Sequence, residues 1–203
     1  METIKFEINF IESVLGTICG NKETASDFIA AKNPNGIDPA ELAAIPDFVE
    51  ELRNVTTVFA RNPDGIPMFW DYQIKGFFKS ACQAMIESGS ITAEAAKKRG
   101  LSKWTFKRTL DQQLFVFPRM IPILFPGEIQ FIERPLRAST RQGERIALAR
   151  SESIQNGTIE ILVKTLRKDL MEVVAWAMEY GELSGIGQWR NSGMGRFTFV
   201  EIF

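Results

Sequence analysis

Histidine is absent from the 203 residues. That absence removes the side chain that titrates near neutral pH, the commonest metal ligand, and the base of Ser-His and Cys-His nucleophile pairs. Any chemistry falls to carboxylates, lysine or tyrosine, so the composition leans towards a binding protein. No cofactor and no metal are expected. Cysteine is scarce: Cys19 and Cys82 stand far apart and in no CxxC pair. They fit reduced thiols in a cytoplasmic protein better than a disulfide staple or a zinc site. No apolar run approaches the roughly 18 residues of a membrane span, so no membrane partner is expected. The opening METIKFEINF lacks a basic stretch followed by an apolar one and does not read as a signal peptide. Signatures with fixed chemistry are missing too: there is no HExxH, EF-hand loop, P-loop or nucleophile elbow.

Charge of one sign is also missing. The formal net charge is -1, from 24 Lys and Arg against 25 Asp and Glu. The charges are unevenly placed, however. Residues 97–150 hold 12 of the 24 cations against four acids, Asp111, Glu128, Glu133 and Glu144. A solvated face accounts for any one of them; the density points to an anionic partner.

What is present reads as alternating strands and helices. In TIKFEINFI, Ile4, Phe6, Ile8 and Phe10 share one face, a half-buried strand. Residues 21–54 read as a mainly helical insertion, with KETASDFIAAK followed by DPAELAAIPDFVEEL, where Asp38 suits an N-cap and Pro39 the first helical position. NVTTVFA reads as a short strand and RNPDGIP as a turn. In YQIKGFFKSACQAMIE the apolar residues Ile74, Phe77, Phe78, Ala81, Cys82, Met85 and Ile86 follow helical spacing, so one stripe is buried. Gly76 inside that helix costs about 1 kcal/mol relative to alanine, which asks for a packing or close-approach reason. KKRGLSKWTFKR reads as part helix and part loop. Strand signals return in QQLFVFP, GEIQFIERPLRA and GTIEILVKTL. RKDLMEVVAWAMEYGE is helical with Leu170, Val173, Val174 and Ala177 on its core face, and GRFTFVEIF closes the chain as a strand. The class is α+β. The economical expectation is a ferredoxin-like (RRM-like) β-α-β-β-α-β core with insertions, as one domain over residues 1–203.

Between the last helix and the last strand lies GIGQWRNSGMGRF. Gly185, Gly187, Gly193 and Gly195 form two Gly-x-Gly pairs around Trp189 and Arg190, with Arg196 following. Glycine serves positive φ and close backbone approach. Two uses stay open: a tight helix-to-strand connection, or a backbone that an anion approaches.

This arrangement, Gly-x-Gly, five residues, Gly-x-Gly before a C-terminal strand, resembles the glycine-rich loop of the RAMP superfamily, the RNA-binding subunits of CRISPR effector complexes. RNPDGIPMFWDYQIKGFFKSACQ (61–83) is similar to the family's segment in which an Arg-containing strand and turn lead to a Pro and then a Ser-Ser-Leu-Lys-Gly helix start. Pro67, Ile74, Lys75 and Gly76 match, while Tyr72 and Gln73 replace the two serines. SESIQNGTIEILVKTL resembles the segment running Glu, a turn with Gly, then a strand. The likeness is greatest to the guide-RNA-binding backbone subunit of type III complexes.

The resemblance implies an RNA-binding protein that holds guide or single-stranded RNA by its backbone, as a subunit of a ribonucleoprotein in antiviral defence. Its implied RNA contacts are Lys75, Gly185, Gly187, Trp189, Arg190, Gly193, Gly195 and Arg196, with Lys75 facing the groove of the glycine loop. Trp189 either stacks on a base or caps the core. The implied partners are RNA and other effector subunits, or further copies of the chain, head to tail. Two alternatives stay open: a solitary or phage-borne module that binds such a complex and interferes with it, and a divergent endoribonuclease. In ribonuclease members of the type III branch an Asp precedes the strand before the Arg–turn–Pro segment. Here that place carries Thr56 or Thr57, with Asp27 and Asp38 in the insertion as possible substitutes. The expectation is no cleavage: single-stranded RNA incubated with the protein, with and without Mg²⁺ or Mn²⁺, stays intact on a denaturing gel. Regularly spaced cuts that vanish in Asp27→Ala or Asp38→Ala would show the opposite.

Overall fold

The computed structural model describes residues 1–20, 39–45, 56–140 and 143–202. Its elements are, in chain order, β1 (Glu2–Phe10), β2 (Val14–Leu15), β3 (Ile18–Cys19), α1 (Pro39–Ala43), β4 (Thr57–Val58), β5 (Ala60–Arg61), β6 (Pro67–Trp70), α2 (Asp71–Glu87), α3 (Ala93–Lys98), α4 (Phe106–Gln113), β7 (Leu114–Phe117), β8 (Met120–Pro122), β9 (Gln130–Thr140), β10 (Gly143–Ile154), β11 (Thr158–Thr165), α5 (Met171–Ser184) and β12 (Phe197–Ile202). The architecture is α+β. Of the expected insertion, α1 is described and begins at Pro39; KETASDFIAAK, Asp38 and residues 46–54 lie outside the described residues.

The principal sheet has the order β12-β1-β11-β7, every pair antiparallel. Phe6 stands opposite Ile161, and Ile8 opposite Ile159. Period-2 alternation puts Phe6, Ile8, Phe10, Ile159, Ile161, Val163, Leu114 and Val116 on one buried face. The helices α2 and α5 cover that face and pack against each other. The expected stripe of α2 is buried through Ile74, Phe77, Phe78, Ala81, Cys82 and Met85. In α5, Val173, Val174, Ala177 and Met178 are buried, with Leu170 just before it. At about 1.5–3 kcal/mol per buried large apolar side chain, this layer is the main source of stability. Gly181 of α5 is required by contact: a Cβ there would collide with the Phe197 ring and lie 2.8 Å from Phe77 Cζ.

Beside this layer stand two smaller sheets, β2-β10-β4-β3 with β9 on β10, and β5-β6-β8. The strand β10 did not stand out in the sequence, because its polar and arginine-rich half carries no apolar alternation. It pairs with β9 from Gln130–Ser153 to Thr140–Gly143. Eleven residues at about 3.3 Å make a ribbon of about 36 Å. Its base is buried at Ala149, Ser151, Glu152, Ser153 and Ile154, while Ile146 and Leu148 are exposed, so the distal part leaves the body as an arm.

At the base of the arm a carboxylate is buried. Glu152 is 4% exposed. Its Oε2 accepts from Phe59 N at 2.8 Å and its Oε1 from Arg61 Nη2 at 2.6 Å. Its backbone oxygen accepts from Gly16 N at 2.9 Å. One residue thus ties β10 to the β4–β5 and β2–β3 links. Removing one partner of a buried pair strands the other charge, at about 3–5 kcal/mol. Glu152→Ala is therefore expected to lose about that much stability in urea denaturation, and Glu152→Gln, which keeps an acceptor for Phe59 N, to lose less.

Candidate nucleic-acid interface

The connection from β1 to β3 is the bed on which the glycine loop lies. The amides of Ile11 and Glu12 donate to Arg196 O at 2.9 and 3.2 Å, and Gly195 N donates to Ser13 O at 2.9 Å. The loop then closes on itself, with Ile186 N donating to Gly195 O at 2.9 Å. All four glycines have positive φ: +74° at Gly185, +95° at Gly187, +82° at Gly193 and +72° at Gly195. Their surroundings divide them. A Cβ on Gly185 would lie 2.5 Å from Met194 O, and one on Gly195 would collide with Ile186 O. These two are the inner glycines of a backbone-on-backbone crossing. Gly187 and Gly193 meet nothing nearer than 3.4 Å and 3.9 Å. Gly185 and Gly195 therefore serve the tight helix-to-strand connection, while Gly187 and Gly193 have open space before them.

Between the loop and α2 runs a cleft of about 230 Å³, lined by Thr17, Gln73, Gly76, Ser80, Gly187 and Arg190 with Phe69, Phe77 and Ile186 as its apolar floor. Gly76 is exposed on α2, and a Cβ there would meet nothing within 4 Å. Packing among the described residues gives no reason for that glycine. Gln73 explains the replaced serines: its Oε1 accepts from Trp70 N at 2.8 Å, a helix-start cap, and its Nε2 donates to Thr17 Oγ1 at 2.6 Å across the cleft.

The cations separate likewise. Arg190 reaches Ser80 Oγ at a long 3.4 Å and forms no ion pair among the described residues. Arg196 is engaged: its Nε donates to Glu182 O at 3.0 Å, in the last turn of α5, where a cation suits the helix dipole. Trp189 is neither a core cap nor free. It is partly exposed, has φ +60°, and carries the Arg134 guanidinium 4.6 Å from its ring centroid. A non-glycine residue in that region costs about 1–2 kcal/mol. Arg134 comes from β9, far away in sequence, and no local pattern signals it.

Lys75 does not face this cleft. It leaves the other side of α2, donates to Asp111 O at 2.7 Å, and lies 5.2 Å from the Phe115 ring. Burial holds its ammonium below the usual lysine range, partly offset by Asp111. The resemblance implied that Lys75 faces the groove with Gly76, but adjacent helical residues diverge by about 100°. At the place compared with a catalytic Asp, Thr57 is buried and donates to Ser151 Oγ at 2.8 Å, while Thr56 Oγ1 accepts from Arg150 N at 3.1 Å. Asp27 and Asp38 lie outside the described residues.

The division among the glycines has a measurable consequence. Both Gly193→Ala and Gly195→Ala pay for positive φ, about 1–2 kcal/mol. Gly195→Ala must in addition part the loop from Ile186, so its loss in urea denaturation is expected to exceed that of Gly193→Ala.

No protein-family model and no curated protein match the chain. Among solved structures, it is similar to a chain in the cryo-EM structure of the type III-B Cmr-beta complex bound to cognate target RNA. The identity is 13% and the TM-score 0.49, over 98% of this chain and 61% of that one. It is also similar to a chain of a type IV-B CRISPR complex, at 10% identity and a TM-score of 0.48, over 99% of this chain and 90% of that one. The chain thus spans 61% of the length of the first.

Proposed function

We propose that this chain is an RNA-binding subunit of a CRISPR-type ribonucleoprotein, built on a ferredoxin-like core as a single RAMP-like domain with an insertion at about 21–54. Three things support the core assignment: the β12-β1-β11-β7 order, the helix α2 between β1 and β7, and the helix α5 between β11 and β12. The core then presents guide or single-stranded RNA with the cleft between α2 and the glycine loop. The partners are RNA and neighbouring effector subunits, or copies of the chain in head-to-tail contact.

The observation that carries this reading is Gly76. An exposed glycine in the middle of a 17-residue helix costs about 1 kcal/mol. Among the described residues it makes room for nothing in its own chain, and it lines a cleft that also holds Gly187 and Arg190, an arginine with no ion pair among those residues. A sugar-phosphate backbone is the ligand that such a surface suits: it needs low side-chain relief, a cation and exposed polar backbone, and it is bound without regard to base sequence. Arg190 supplies the charge. Arg134 and Trp189 stand beside it as a cation and a ring. Lys75 lies outside this cleft and contacts RNA only if the strand crosses to the β7 side.

Gly76→Ala is expected to stabilise the free protein by about 0.5–1 kcal/mol and to weaken its binding of single-stranded RNA. Arg190→Ala should weaken that binding uniformly across sequences and make the salt slope shallower by about 0.7 for one lost phosphate contact. Arg196→Ala should cost stability instead, about 1–2 kcal/mol for a charged hydrogen bond to a helix end. Filter binding at several salt concentrations beside urea denaturation checks all three. A Gly76→Ala protein that is more stable and binds RNA as before would refute the reading.

A further inference from the structure

A second cleft, of about 360 Å³, opens further along α2, between Gln83, Ile86 and Glu87 on that helix, Lys103 and Trp104 on the turn into α4, and Lys107 in its first turn. Trp104 is 89% exposed, the most exposed large apolar residue of the described chain. Lys103 and Lys107 line the cleft beside it, and Lys97, Lys98 and Arg108 lie on the same segment. All five are exposed and none forms an ion pair among the described residues, while Lys107 Nζ lies 5.8 Å from the Phe106 ring centroid. The exposed indole adds nothing to the buried core among the described residues: Leu101, Phe106 and Leu110 supply the apolar anchors of this segment. The cleft's acid is committed on one side. Glu87 Oε1 accepts from Gln83 Nε2 at 2.9 Å, which leaves Oε2 as an acceptor on the cleft wall.

We propose that this cleft is a second nucleotide site, which takes an amino-bearing base of a single RNA strand. Trp104 stacks on the base, Lys103 and Lys107 neutralise its phosphate, and the Glu87 carboxylate accepts from the exocyclic amine. A carboxylate accepts only, and the one edge donor of uracil, N3–H, lies between two carbonyl oxygens that repel a carboxylate, so uracil is disfavoured there. The position agrees with one continuous strand. Gly76 of the first cleft and Gln83 of the second are seven residues apart, two turns, on the same face of α2. That is about 10 Å, the rise of about three stacked nucleotides at 3.4 Å each. The inference rests on the RNA-binding reading and extends it: the glycine cleft holds backbone, and the Trp104 cleft holds a base.

The test uses decacytidine and decauridine RNA, titrated by fluorescence anisotropy into the whole protein and into Trp104→Ala, Lys103→Ala/Lys107→Ala, Glu87→Ala and Arg190→Ala. Circular dichroism confirms that each variant is folded. The expected result is a 5- to 150-fold loss for Trp104→Ala, the range for one stacked base. The double lysine variant should bind more weakly with a salt slope shallower by up to about 1.4. The wild type should prefer decacytidine, and Glu87→Ala should remove that preference. Trp104→Ala binding both RNAs as the wild type does, while Arg190→Ala is weakened, overturns this site and leaves the glycine cleft standing. Loss in Trp104→Ala with Arg190→Ala unaffected supports this site and refutes the glycine cleft. No preference for decacytidine overturns the role of Glu87. Vesicles containing phosphatidylserine that bind the wild type but not Trp104→Ala, with RNA affinity unchanged, make the patch a lipid surface and overturn the proposal.

Discussion

The buried carboxylate of Glu152 sets how the two smaller sheets meet each other. It stands where the arm β9–β10 enters the body, and its two oxygens are taken by Phe59 N and Arg61 Nη2. Such a charge tolerates burial only with its partners in place, since each unmet acceptor or donor costs free energy in a low-dielectric interior. Phe59 and Arg61 are thereby held in register with β10. The backbone oxygen of the same residue holds Gly16, whose Cβ, if it had one, would lie 2.7 Å from Val58 Cα and closer still to Val58 C. The packing around Glu152 therefore positions the 11–17 connection as well.

That connection is the support of the candidate interface. Its Ser13 carbonyl takes the Gly195 amide, its Ile11 and Glu12 amides take the Arg196 carbonyl, and its Thr17 hydroxyl takes Gln73 from α2. Loop, helix start and strand link are joined by hydrogen bonds between elements far apart in the chain. The cleft they enclose is shaped by absent side chains: Gly185 and Gly195 let the loop cross itself, and Gly76 and Gly187 leave its wall low. In the proposed function that low wall receives the RNA backbone.

Cations follow the same logic of commitment. Arg61 and Arg196 are engaged by chain atoms and serve the fold. Arg190 meets only a hydroxyl at long range, and the cations from Lys97 to Arg108, Arg99 apart, have no acids among the described residues. Arg99 pairs with Glu172 at 2.6 Å. The near-neutral total of -1 therefore conceals cations beside α2, Arg190, Lys103 and Lys107, that have no ion pair among the described residues.

By itself the sequence determined the class and most of the elements, because period-2 and helical apolar patterns report which face is buried whatever buries it. β1, the stripe of α2, the core face of α5 and β12 are legible for that reason, and so is the glycine loop as a place of special backbone. Its division into inner and outer glycines was not legible, since φ and spacing are alike at all four and only the position of Ile186 and Met194 separates them. Lys75 and Gly76 are neighbours in sequence, yet the helix turns them to different sides. β10 is hidden because, Ile154 apart, its buried members are Glu, Ser and Ala, which become interior only once Arg61, Phe59 and Thr57 meet them. Arg134 on Trp189 and Trp104 beside Glu87 join residues from separate elements. Local pattern encodes the burial of a face; which faces meet, and what cleft they leave between them, is decided by the packing of the whole chain.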